Sequence, residues 1–134
     1  INGKKMQSVS GGGHWGGGMF ISARDLARLG LVAQRDGKWG TRQVLSKNWI
    51  AMARTPTDMN PNYGYMNWFL NRDKARFPAA PESAVGFFGN GTNMVYVDKE
   101  NDIVAVVRWI DRKKTQEFVE LLLGAQRPVE TTNE

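Results

Sequence analysis

Two apolar runs, "TNMVYVD" at 92–98 and "DIVAVVRWI" at 102–110, flank the charged stretch from Lys99 to Asn101. Both are rich in β-branched and aromatic residues, which suit a half-buried pleated surface, so they predict an antiparallel hairpin turning at Lys99 to Asn101. The run before them, "AVGFFGNG", adds a strand. Asp111 is placed to cap a final helix, in which Phe118, Val119, Leu122 and Leu123 form one apolar stripe before Gly124 and Pro128 end it. Strand, strand, strand, then helix is the pattern that most limits the fold.

The N-terminal half reads differently. Ser22 and Asp25 stand three apart at the head of "SARDLARLG", a capping-box spacing in which the serine bonds first-turn amides and the acid reaches back. A helix is predicted from Ser22, with Leu26, Leu29 and Ala33 on one face and a stop at Asp36-Gly37. "DGKWGTRQVLS" reads as a turn with a short extended segment. Ser46 caps a second short helix through Trp49, Ile50 and Ala53, ended by Pro56. The aromatic run "NYGYMNWFL" at 62–70 predicts a strand, and Phe77 to Pro81 a proline-punctuated loop. Helices followed by an antiparallel sheet under a terminal helix make an α+β fold. One C-terminal helix covers one face of that sheet, and the N-terminal pair is a doubtful cover for the other.

At 134 residues the chain is long enough to bury roughly two thirds of its unfolded surface in one core. The absence of cysteine excludes disulfides, thiolate metal sites and a cysteine nucleophile. No apolar run approaches the roughly 20 residues of a membrane span. The net charge of +5 is spread through mixed segments such as "ARDLAR", "NRDKAR" and "DRKK", the pattern of a solvated face, so no nucleic-acid partner is expected. Residue 1 is Ile, and a polar stretch leads straight into a glycine loop, so the expectation is a segment of a longer protein.

That loop, "GGGHWGGG" at 11–18, holds the only histidine, His14, beside Trp15. A phosphate cradle needs a strand before the glycines and a helix directly after; here the preceding residues are polar and the helix begins four residues past Gly18. "GNGTN" at 89–93 leads into a strand, so it fails the same test. With no second histidine and no nearby acid, His14 has too few companions for a metal site, and none is expected. It is either a packing residue or the lining of a cleft. None of the five serines, Ser8, Ser10, Ser22, Ser46 and Ser83, begins Ser-x-x-Lys or sits in Gly-x-Ser-x-Gly, so no nucleophile is evident. Tyr65-Met66-Asn67 has the letters Tyr-x-Asn of penicillin-recognising enzymes, but alternation along its run reads as an ordinary strand.

Taken in order, "GGGHWGGGMFISARDLARLGLVAQRDGKWGTRQVLSKNWI", "NYGYMNWFL" and "GNGTNMVYVDKENDIVAVVRW" resemble the C-terminal part of the serine beta-lactamase-like family. That group comprises class C beta-lactamases, penicillin-binding proteins and esterases. The likeness spans about residues 8 to 124 and implies one partial beta-lactamase/transpeptidase-like domain. Its parts are a glycine-rich loop at 1–18, a helical part at 22–56, sheet and terminal helix at 63–124, and a tail at 125–134. It implies an acyl-enzyme hydrolase of an ester or amide, without cofactor, whose Ser-x-x-Lys nucleophile and Tyr-x-Asn element lie in an upstream part of the same protein. Family members are often exported, so a periplasmic or secreted location is implied.

Aligned back from "YVD", the family's Lys-Thr-Gly or His-x-Gly strand falls on Phe87-Phe88-Gly89, with the Asn90 backbone N–H as oxyanion donor and Gly91 beside it. "FFGNG" offers two glycines, which leaves the register open by one or two. Phe87 stands where the family often has lysine or histidine, which removes a cation for a substrate carboxylate and weakens the case for beta-lactam recognition. The resemblance places His14 or Trp15 at the cleft, facing substrate or plugging its wall. A non-catalytic binding relative that keeps the cleft is the alternative.

Overall fold

The computed structural model describes residues 7–8, 19–74 and 76–126. Two short strands, β1 (Gln7–Ser8) and β2 (Met19–Phe20), pair antiparallel and lead into helix α1 (Ala23–Gln34). The predicted start holds: Ser22 Oγ accepts from the Asp25 N–H at 3.1 Å and donates to the Asp25 carboxylate at 2.8 Å. Asp36 and Gly37, both left-handed at φ 50° and 83°, turn the chain out of α1. A small hairpin of β3 (Lys38–Trp39) and β4 (Arg42–Gln43) follows, then α2 (Lys47–Ala53), capped by Ser46 Oγ accepting from the Trp49 N–H.

The expected strand over 62–70 shrinks to β5 (Trp68–Phe69). Gly64 packs against the Ala53 carbonyl, and that oxygen accepts from the Tyr65 N–H and from Asn67 Nδ2 at 2.7 Å. Asn67 also donates to the Tyr65 carbonyl, and Met66 takes a left-handed φ of 63°. The run therefore folds back on the end of α2, and the Tyr63 ring meets Trp68 edge-on at 4.7 Å. Tyr65-Met66-Asn67 is a loop whose asparagine is buried as a structural tie.

The main sheet has the order β5-β6-β7-β8, all antiparallel, with β6 (Val85–Gly89), β7 (Asn93–Asp98) and β8 (Ile103–Val107). Alternation gives it two apolar faces. Met94 and Tyr96 pack with Ala105, Val107 and the Val119 face of α3 (Thr115–Gly124). Asp111 caps a 3-10 turn at Arg112–Lys114, not α3 itself, which begins after that turn at Thr115.

Val95, Val97, Val104 and Val106 form the opposite layer, beneath α1. The approach is close: a Cβ on Gly30 would stand 2.6 Å from Val104 Cγ1 and 2.8 Å from Val95 Cγ1. So α1 alone covers β7 and β8 on the face for which the N-terminal helices looked inadequate. Of the predicted stripe of Leu26, Leu29 and Ala33, Leu26 packs against this valine layer, and the stripe also faces open space. It lines an open apolar cavity that continues over β6. Among the described residues no helix is long and apolar enough to cross a membrane.

The turn between β7 and β8 is built on a buried carboxylate. Asp98 accepts from the Tyr96 hydroxyl at 2.8 Å, the Asn101 N–H at 3.0 Å and Asn101 Nδ2 at 2.8 Å. Burial, then the hydrogen bond to Asp98 and its charge, pushes the Tyr96 phenol well above its ordinary range. A phenol held protonated in the fold contributes stability that is complete below the unfolded value of about 10 and is lost as pH rises beyond it. Ultraviolet titration should find one of the three tyrosines protonated until the chain unfolds in alkali. Ionisation of all three while the fold persists would contradict the network.

Candidate functional site

Strand β6 divides two cavities. It pairs with β7 along its whole length, but β5 reaches only Val85 and Gly86. β6 is therefore an inner strand of the sheet, and the outer backbone edge of Phe87, Phe88 and Gly89 has no strand partner among the described residues. Three residues, Asn90 to Thr92, then turn the chain into β7. Gly91 at φ 73° and Thr92 at φ 53° are left-handed, so Asn90 and Gly91 belong to the turn and not to the strand on which the register placed them.

The turn is fixed from two sides. Asn90 Oδ1 accepts from the Gly91 N–H at 2.9 Å, and Asn93 Nδ2 donates to the Asn90 carbonyl at 2.5 Å. The Trp109 ring lies on Gly91 so closely that a Cβ there would collide with it. Arg108 Nη1 donates to the Ile21 carbonyl at 3.0 Å, tying the end of β8 to the entry of α1. Among the described residues the Asn90 backbone N–H has no acceptor, and Asn90 is exposed.

Because neighbours on a strand face opposite ways, the predicted site residues separate. Phe87 lines the cavity on the α1 side, about 680 Å³, with Trp49, Tyr65, Val85 and Val95. That cavity is almost wholly apolar. Among the described residues Arg54 is its one cation, donating to the Ala33 carbonyl at 2.9 Å and held below the ordinary guanidinium range by burial. Phe88, Gly89, Asn90 and Gly91 line the second cavity, about 560 Å³, on the α3 side. Here the walls are mixed, with Trp68, Phe77 and the cations Arg76, Arg112 and Lys113. His14 and Trp15 lie outside the described residues.

Sequence reasoning missed Arg76 and Arg112, because "NRDKAR" and "DRKK" read as solvated mixed charge. Only the sheet brings them to one cavity. Trp68 was visible as part of an aromatic run, but not the side it faces.

No nucleophile is formed among the described side chains. Ser22 and Ser46 are spent as helix caps, and Ser83 Oγ donates to Glu100 at 2.5 Å. Among the described residues no group of three or more potential metal-binding side chains comes together. The second cavity is lined by Asn90, whose N–H has no acceptor among the described residues, by an aromatic wall and by positive charge. No protein-family model matches the chain, and no curated protein matches it.

Proposed function

We propose that the chain is the C-terminal portion of a beta-lactamase-like serine hydrolase acting on an ester or amide, with its nucleophile in an upstream part of the same protein. The observation that carries this reading is the Asn90 N–H, without an acceptor among the described residues, at the end of a strand whose outer edge is unpaired from Phe87 to Gly89. A donor fixed in the backbone needs no reorganisation when negative charge develops on a carbonyl oxygen, and one is typically worth about 2.7–4 kcal/mol. A helix on each face of the β6-β7-β8 meander is consistent with the same fold. The exposed Trp49, Tyr65 and Met66 at the mouth of the apolar cavity suit a surface covered by the rest of a larger domain.

In the complete protein an upstream serine attacks the substrate carbonyl, its proton passing to an upstream lysine or tyrosine. The oxyanion takes the Asn90 N–H, the leaving group departs, and water releases the acyl group from the serine. These steps need no cofactor.

The alternative is a binding relative without chemistry. Phe87 favours it: at the position where the family often carries a cation, this side chain lines the apolar cavity beside Val85 and Val95.

The chain alone should not hydrolyse nitrophenyl acetate above background. Turnover that survives purification and disappears on mutating one of the five serines would overturn the assignment of the nucleophile to an upstream part.

A further inference from the structure

The cavity on the α3 side is lined by Arg76, Arg112 and Lys113, none of which has a carboxylate partner among the described residues. The Arg76 guanidinium stands 4.9 Å from the Trp68 ring centroid, 5.5 Å from Phe88 and 5.9 Å from Phe77. Stacking uses the faces of a guanidinium and leaves its N–H groups directed outward in the plane. The ion pairs among the described residues engage Arg28, Lys99 and Lys114, so neither Arg76 nor Arg112 has a carboxylate there. Among the described residues, side-chain hydrogen bonds from arginine are those of Arg28, Arg54, Arg72 and Arg108. Burial, and after it the charge of Arg112, holds Arg76 below the ordinary guanidinium range. Both guanidinium groups, with Lys113, line this one cavity, so a bound anion would be met by like charges that repel one another without it.

The space suits a small ligand. At about 560 Å³ the cavity is within the usual range for small-molecule sites, and its apolar wall is flat because it is made of rings. We propose that it binds a small molecule built of one oxyanion, carboxylate or phosphate, on a flat apolar body, the oxyanion between Arg76 and Arg112 and the body against Trp68 and Phe88. Guanidinium groups suit both oxyanions because two parallel N–H donors match two oxygens. This is the cavity that Asn90 lines, but binding of this kind needs no nucleophile, so its test does not depend on turnover.

The test is a titration of the full chain, followed by amide resonances, with phenyl phosphate, benzoate, inorganic phosphate and phenol as probes. Shifted resonances should cluster at Gly89–Thr92 and Arg112–Gln116, with phenol and inorganic phosphate each at least about tenfold weaker than the better aryl anion. Whichever of phenyl phosphate and benzoate binds more tightly names the oxyanion. Arg112→Gln should weaken that probe about tenfold or more; its side chain is exposed, so the fold is not at risk. Arg76→Gln should do the same, and Arg24→Gln, on the exposed start of α1, should change nothing. Unchanged affinity in Arg112→Gln, shifts mapping elsewhere, or no saturation by either aryl anion below about 10 mM would each overturn the proposal.

Discussion

Asn90→Pro in the complete protein is expected to lower kcat by about two to three orders of magnitude, whereas Asn90→Ala should leave most turnover intact. The difference isolates the backbone. Alanine removes only the side chain, whose Oδ1 accepts from the neighbouring Gly91 N–H within an exposed turn. Proline removes the N–H itself. Gly89 precedes it in extended conformation, as a residue before proline requires, and no ladder bond among the described residues is lost. Circular dichroism and thermal unfolding of the variant separate loss of the donor from loss of the fold. A folded Asn90→Pro protein with unchanged kcat would remove Asn90 from the oxyanion site.

The largest effect on stability is expected at Asp98, which is completely buried. Asp98→Ala strands the buried Tyr96 hydroxyl and frees both Asn101 donors that order the β7–β8 turn. Each unsatisfied buried group costs about 1–3 kcal/mol, so the expected loss is about 3–5 kcal/mol, with Tm lowered by about 10 °C or more. Adding Tyr96→Phe to Asp98→Ala should recover part of that loss, since the phenol no longer needs an acceptor. Asp98→Asn, which keeps an acceptor oxygen, should cost less than alanine. A loss below about 1 kcal/mol for Asp98→Ala would show that the network is not what holds the turn.

Signals carried within a few residues were legible in the sequence. Ser22 and Ser46 announce α1 and α2 because a cap is a bond across three residues, and the β7–β8 hairpin is legible because both strands and their turn are contiguous. The run over 62–70 misleads because its alternation is compatible with a strand, while its conformation is decided by the Ala53 carbonyl of α2, which takes bonds from Tyr65 and Asn67. A strand over "AVGFFGNG" was legible, but not that it stops at Gly89, where Asn90 to Thr92 turn the chain into β7. The two cavities could not be read at all. Phe87 and Phe88 are adjacent letters that face opposite sides of a sheet, and Arg76 and Arg112 come to line one cavity from distant parts of the chain.

The central claim is that this chain completes an acyl-transfer site whose serine lies upstream. Mass spectrometry of the complete protein after brief exposure to nitrophenyl acetate tests it most directly. The account predicts an acetyl adduct on a serine that begins Ser-x-x-Lys upstream of Ile1, accumulating in the wild type and much reduced in Asn90→Pro. An unmodified protein without turnover, or an adduct on a serine within residues 1–134, would contradict it.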